Sequence, residues 1–216
     1  MRLDASSWLN HLDGARTLTL AGGAEGVHQV RVALRRLRVW LAFKGHRSLQ
    51  EELRWLCGCL ALLRDLDVFG EALTPQALAE LRPEAVARAV EALGSERWVS
   101  LRDRLNSVRP PRRSQAKRAL PRLERKLDEL RASRPRSDGE ALHRMRRALR
   151  RVRYAREWLG LDTADLAQEQ ERLGAVCDLL ALQAFARWHQ AAVPPQLDDA
   201  IARGFELLSP HGNHAP

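Results

Sequence analysis

The segment at residues 27–44 constrains the fold most, because it carries two stripes at helical spacing. The apolar stripe recurs every three or four residues, which places its members along one line of an α-helix: Val27, Val30, Leu34, Leu37 and Leu41. The basic stripe follows a neighbouring line: His28, Arg31, Arg35 and Arg38. The two lines lie roughly 110° apart at about 100° per residue. The basic side chains therefore flank the core-facing side, where they could line a groove or cavity.

The same pattern occurs a second time, at residues 142–153. A constant offset of 115 residues relates His28, Arg31, Ala33, Leu34, Arg35, Arg36 and Arg38 to His143, Arg146, Ala148, Leu149, Arg150, Arg151 and Arg153. Downstream, residues 60–65 align with residues 173–178 at an offset of 113, and both stretches end in an Asp. A conserved order of two similar segments indicates internal duplication of a helical unit.

Period-two runs of β-branched residues are absent, so the predicted class is all-α. A Pro-rich linker at 108–113 separates a first four-helix repeat, 1–107, from a second, 114–208, within one domain, 1–208, and a frayed tail is expected at 209–216.

Residues 21–26 are predicted to be a flexible break, and Pro83 to begin a new helix. Leu18 is predicted to be an apolar position of the first helix. The predicted helical segments are 4–20, 27–44, 49–73, one that starts at 75, one from 83 to about 107 with an interruption near 94–95, 114–132, 139–159, 163–192 and 196–208.

The net charge of +9 and the sequence pI near 10.7 favour a polyanionic partner. Lys occurs only at positions 44, 117 and 126, so most of the positive charge is Arg, which matches phosphate bidentately. A GC-rich genome would also favour Arg. Three cysteines indicate no disulfide framework and fit a reducing cytoplasm. Neither a signal peptide nor a membrane span is predicted.

At these residues the sequence resembles the CHAD family, the conserved histidine α-helical domain. Residues 27–38 fit the signature Val-His-x-x-Arg-Val-x-x-Arg-Arg-x-Arg, and residues 142–154 fit Leu-His-x-x-Arg-x-x-x-Lys/Arg-x-x-Arg-Tyr. The stretch at 64–68 is similar to the family's segment after the first signature, and the resemblance covers roughly residues 20–208. It implies two four-helix bundles related by a pseudo-twofold around a central basic cavity. It also implies binding of inorganic polyphosphate and association with polyphosphate granules.

The predicted polyphosphate-binding residues are those of the two signatures: His28, Arg31, Arg35, Arg36, Arg38, His143, Arg146, Arg150, Arg151, Arg153 and Tyr154. Arg36 and Arg151 lie about 100° from the stripe centres, so they either reach the edge of the cavity or pair with acids. Tyr154 either donates its hydroxyl to phosphate or packs in the core. Asp65, Asp178 and Glu157 are predicted to position stripe arginines.

The sequence shows no nucleophile–base arrangement and no glycine-rich phosphate loop, so we expect a binding protein and no enzyme. No cofactor and no metal are predicted, because each stripe has one His and the arginines around it oppose a cation. The alternatives are a nucleic-acid-binding protein, a polyphosphate or metal-dependent phosphate enzyme, and a scaffold that docks on granules through a protein partner. We expect a cytoplasmic location, and the resemblance implies association with polyphosphate granules there; the oligomeric state stays open.

Overall fold

A computed structural model describes residues 1–133, 138–191, 193 and 195–208. In that part of the chain it has ten α-helices, a 3-10 turn at Gly70–Ala72 and no β-strand, so the all-α prediction is confirmed. The predicted tail at 209–216 lies outside the described residues. The helices are α1 (Ser6–Leu20), α2 (Ala24–Ala42), α3 (Arg47–Cys59), α4 (Ala61–Phe69), α5 (Pro75–Gly94), α6 (Glu96–Asn106), α7 (Arg113–Ala132), α8 (Gly139–Leu159), α9 (Ala164–Trp188) and α10 (Leu197–Leu207).

The chain forms two compact units, Met1–Ala116 and Lys117–Pro216. In the first unit α1 packs along α2, and the whole apolar stripe of α2 is buried. Burying that stripe supplies roughly 1.5–3 kcal/mol per large side chain. The buried stripe also fixes the rotation of α2, and therefore the direction in which its basic stripe points.

The start of α2 differs from the sequence prediction. The predicted break at 21–26 is wrong from residue 24 onward, because α2 begins at Ala24 and Gly26 lies within it. Leu18 is 53% exposed, and Thr19 takes the buried position of α1 instead. The Thr19 hydroxyl is satisfied because it donates to the carbonyl of Ala15 at 2.9 Å. At this point α1 and α2 approach so closely that only a glycine fits at position 26.

The predicted helix at 49–73 is wrong in its continuity, because it ends at Cys59 and restarts at Ala61. Leu60 between them has φ −92° and ψ 2°, which departs from helical geometry without losing the helical phase. The apolar line through the break therefore stays in the core. Its buried members are Leu53, Leu56, Leu60, Leu63 and Leu66.

Pro83 lies inside α5, so the prediction that it begins a new helix is wrong. It is exposed, where the bend that proline imposes is tolerated. The true start is at Pro75, and the Thr74 hydroxyl accepts from the amide of Ala77 at 3.2 Å. The predicted interruption near 94–95 is confirmed, since α6 begins after Ser95, whose Oγ accepts from the Trp98 amide at 3.1 Å.

In the second unit α8 matches its predicted range, 139–159. Asp138 caps it by accepting from the amides of Glu140 and Ala141 at 2.8 and 3.1 Å, and Gly160 ends it at φ +63°. Next, α9 packs on α8, and α10 packs on α9. Among the described residues, none of the helices is both long and apolar enough to span a bilayer.

Candidate functional site

The basic stripe of α2 lies at the edge of the first unit's core. All four of its side chains, those of His28, Arg31, Arg35 and Arg38, are half-buried, while the apolar stripe next to it is fully buried. This is the consequence of the angle between the two stripes. The long arginine stems can pack on apolar neighbours while their guanidinium groups reach towards solvent.

Arg31 is held by the broken end of α3. Its Nη1 donates to the carbonyl of Cys57 at 2.9 Å. The last carbonyls of a helix have no partner within the helix and carry partial negative charge, so a guanidinium there is stabilising. Because the acceptor is a neutral carbonyl, Arg31 keeps its full positive charge. Its Nε is buried and has no hydrogen-bond partner within the described residues.

His28 lies in the positive field of three arginines. Burial lowers the pKa of its imidazole, and the guanidinium groups of Arg64, Arg35 and Arg31 lower it further, against the opposing effect of Glu25. The ring is therefore neutral at pH 7 and can donate one hydrogen bond. Arg64 belongs to α4, so this cluster of cations draws on two helices.

The helix that carries Arg64 also carries a buried carboxylate, that of Asp67. The side chain of Asp67 is 5% exposed, and its Oδ1 accepts from Nη1 and Nη2 of Arg82 at 3.0 and 2.8 Å. Its Oδ2 is buried without a hydrogen-bond partner among the described residues. Desolvation raises the pKa of Asp67, while the charges of Arg82 and Arg64 partly offset that effect. Asp67 thus places a negative charge between arginines of α4 and α5.

The basic stripe of α8 resembles that of α2, because its histidine also lies among arginines that lower the pKa of the ring. His143 keeps an exposed surface, but the protein around it excludes enough water to lower the pKa of its ring. The guanidinium groups of Arg147, Arg150 and Arg146 lower that pKa further, and Glu140 opposes them. A histidine in a positive field is therefore present at the matching position of both stripes.

Arg146 is held by α9, as Arg31 is held by α3. Its Nη1 donates to Asp178 Oδ1 at 3.0 Å. Its charge also acts on the buried Cys177 thiol, whose pKa is nevertheless raised above the usual value by desolvation. Gly174 leaves room for this arginine, since a Cβ there would lie 3.3 Å from Nη2. Unlike Arg31, Arg146 shares its charge with a carboxylate.

The end of the α8 stripe is also paired. Arg153 Nε donates to Glu157 Oε1 at 2.9 Å, one helical turn away. Tyr154 is 5% exposed and therefore lies in the core of the second unit. Arg151 is exposed.

The remaining predicted residues lie on other surfaces or elements. The guanidinium of Arg36 stacks over the ring of Trp8, 4.3 Å from its centroid, and so turns towards α1. Asp65 is half-buried on α4. Arg64 and Arg147 act on the two histidines but were absent from the predicted set. Arg147 has Val32 as its counterpart in α2, so a search for duplicated residues passes over it.

Within the described residues, no group of three or more His, Cys, Asp or Glu side chains is arranged to hold a metal ion. The chemistry that the two stripes offer is that of guanidinium donors and neutral imidazoles. Such groups bind oxyanions, with Arg providing paired donors to phosphate oxygens.

Comparison with known proteins gives a family and a fold. The model of the CHAD domain matches residues 4–187. The structure is similar to that of the CHAD domain from the plant Ricinus communis, with a TM-score of 0.66 and 23% identity over 97% of this chain and 86% of that one. It is also similar to PptA from Streptomyces chartreusis, with a TM-score of 0.60 and 20% identity over 94% of this chain and 92% of that one. No curated protein sequence matches the chain.

Proposed function

The chain belongs to the CHAD domain family, and on that premise we propose that it binds inorganic polyphosphate through the basic stripes of α2 and α8. The family is associated with polyphosphate. The stripe residues in the proposal are His28, Arg31, Arg35, Arg38, His143, Arg146, Arg150 and Arg153, to which we add Arg64 and Arg147. The pseudo-twofold relation of the two units and a shared central cavity stay predictions.

One observation carries the proposal: a histidine at the matching position of each stripe lies among arginines that lower its pKa. Positive charge is thus concentrated at equivalent places on two helices that each also contribute to a core. A linear polyphosphate supplies closely spaced negative charge, and a file from His28 to Arg38 extends about 15 Å at 1.5 Å per residue. Arg31 and Arg146 are already held by neighbouring helices, which reduces the entropy lost when they bind a ligand.

We expect polyphosphate affinity to fall steeply with salt, because each neutralised phosphate releases counterions. For single-stranded polyanions each phosphate contact contributes about −0.7 to the slope of log K against log salt concentration. If all six stripe arginines contact phosphate, the slope is about −4; fewer contacts make it shallower. Titration calorimetry or fluorescence anisotropy at a series of chloride concentrations measures this slope. A flat response would contradict phosphate contacts.

We also expect binding to take up protons and to strengthen as the pH falls. In the free protein the pKa of His28 and that of His143 are lowered, so both rings are neutral at pH 7. A bound polyanion favours the charged ring and raises both values towards or above the usual value of about 6.5. NMR titration of the two rings with and without polyphosphate, together with calorimetry in buffers of different ionisation enthalpy, tests this. Unchanged ring pKa values with ligand bound would place the histidines outside the site.

Nucleic acid is the main competing ligand, and the placement of aromatic residues argues against it. Binding single strands uses exposed rings on which bases stack. Of the aromatic residues on the two stripe helices, Trp40 and Tyr154 are buried and Trp158 is half-buried. The ring of Trp8 on α1 is covered by Arg36. Trp188 is 84% exposed, but it lies at the end of α9 and outside both stripes. Competition between polyphosphate and RNA or DNA at equal charge concentration distinguishes the two ligands.

The proposed role is binding without catalysis, in the cytoplasm and on polyphosphate granules. The stripes provide arginines and neutral imidazoles, and the acids near them are engaged with arginines, as Asp178 and Glu157 are. Incubation with polyphosphate, divalent metal and nucleotide should release neither phosphate nor a nucleotide product. Release that depends on His28 or His143 would overturn this part of the proposal.

A further inference from the structure

A further concentration of positive charge lies on α7, on residues that belong to neither stripe. Five of its cations are exposed, and three of them form what we call the outer α7 face: Arg118, Arg122 and Arg125. They lie on the side of the helix opposite its buried residues, which are Ala116, Leu120 and Leu127. Glu124, on another side of α7, accepts from Arg156 of α8 at 3.0 and 2.8 Å, so the outer α7 face is turned away from α8.

The cations of α7 differ in how they are paired. Towards the end of the helix Lys126 pairs with Glu129 at 3.0 Å, and Arg131 pairs with Asp128 at 3.0 Å and also with Glu169. Among the described residues, no ion pair or hydrogen bond engages the side chains of the outer α7 face. An ordinary solvated face would mix the two signs of charge throughout, as the second half of α7 does.

This arrangement costs stability in the helix itself. Arg118 and Arg122 are four residues apart, a spacing at which like charges destabilise a helix by about 0.2–0.5 kcal/mol. The first turn of α7 has no acidic residue, although the helix dipole favours negative charge at that end. A bound polyanion would relieve both effects.

The composition of the face restricts the partner. Between residues 117 and 126 there is no aromatic residue and no large exposed aliphatic side chain. Base stacking and insertion into a lipid bilayer both use such side chains. Recognition here rests on charge and guanidinium hydrogen bonds alone.

We infer that the outer α7 face is an additional binding surface for inorganic polyphosphate, separate from the two stripes. The inference rests on the proposed function and extends it. A chain long enough to occupy the α8 stripe and then continue over the surface of the second unit gains further contacts on α7. Linked contacts of this kind raise the overall affinity through effective concentration, so the gain is confined to long chains.

The test is the triple variant Arg118→Gln, Arg122→Gln, Arg125→Gln, with long-chain and short-chain polyphosphate as probes. Loss of three exposed charge contacts should weaken long-chain binding about tenfold. The salt slope should fall by about 2. Affinity for the short chain should stay unchanged. The matched control is Arg88→Gln, Arg172→Gln, Arg203→Gln, which removes the same charge from exposed positions on α5, α9 and α10 and should leave both affinities unchanged.

The outcomes separate this inference from the proposed function. If the triple variant binds long chains as the control does, while stripe variants lose binding, the inference is overturned and the proposed function stands. If the unmodified protein binds neither probe, both fall. If the triple variant keeps its polyphosphate affinity but loses binding to RNA or to vesicles that contain anionic lipid, the partner is wrong and the inference is again overturned.

Discussion

A protein carrying both Arg35→Glu and Arg150→Glu is expected to lose polyphosphate affinity by about two to four orders of magnitude while keeping its helix content. Hydrogen bonds to a charged group contribute about 1.5–3 kcal/mol each, and two are lost. The new carboxylates also repel the ligand. Both arginines are half-buried at the edge of a core, and each acts on the pKa of the histidine in its own stripe.

The double variant has a control of equal charge change, Arg88→Glu with Arg203→Glu, at exposed positions outside the stripes. Circular dichroism and thermal unfolding establish that each variant is folded, and anisotropy with labelled polyphosphate measures affinity. The pKa values of His28 and His143 should rise in the double variant, since a carboxylate replaces a guanidinium beside each ring. Affinity equal to that of the control would sink the proposed function.

The two single variants add information about the ligand. If one polyphosphate chain engages both stripes, each single substitution should remove most of the long-chain affinity, and the two effects should not be additive. If the stripes bind separate ligands, each single variant should retain one site of unchanged affinity. Calorimetric stoichiometry distinguishes these cases.

The helices that carry the stripes were the most predictable part of the fold. Over α2 and α8 the apolar spacing, the basic spacing and the duplication all indicate helix. The bounds of α8 agree with the prediction, whereas α2 begins three residues before its predicted start. The break at Leu60 depends on a different kind of information. The carbonyl of Cys57 accepts a hydrogen bond from Arg31, which lies 26 positions away in the chain. No local sequence pattern reports such a contact. The prediction that Pro83 begins a helix was wrong because an exposed proline can remain inside a helix. Exposure is a tertiary property that the local sequence does not report.

The candidate site shows the same division. Periodicity selected the stripe residues, because their direction follows from the helix they are on. Arg64 and Asp67 act on the site from α4, and their neighbours depend on how α4 packs against α2 and α5. Arg36 was ambiguous by angle alone, and the ring of Trp8 on α1 decides its direction. The contacts of Arg64, Asp67 and Arg36 therefore depend on how separate helices pack, which periodicity within one helix does not report.

The contact between α1 and α2 yields the second large prediction, that Gly26→Ala destabilises the protein by about 2–4 kcal/mol. A Cβ at position 26 would overlap the backbone nitrogen of Thr19 and lie 2.7 Å from its Oγ1 and 2.8 Å from the carbonyl carbon of Leu18. Backbone atoms cannot turn aside as a flexible side chain can, so the two helices must separate. This cost exceeds the gain of about 1 kcal/mol that alanine brings to a helix.

Gly58→Ala is the matched control, because it is the same substitution in a helix of the same unit. A Cβ at Gly58 meets nothing within 4 Å, so this variant should be unchanged or stabilised by about 0.5–1 kcal/mol. Urea unfolding measures both free energies, and equal values would show that α1 and α2 do not approach as closely as described. Since His28 lies two residues beyond Gly26, a separation of the helices should also displace the start of the basic stripe. Gly26→Ala should then weaken polyphosphate binding even where the protein is still folded, and Gly58→Ala should leave it unchanged.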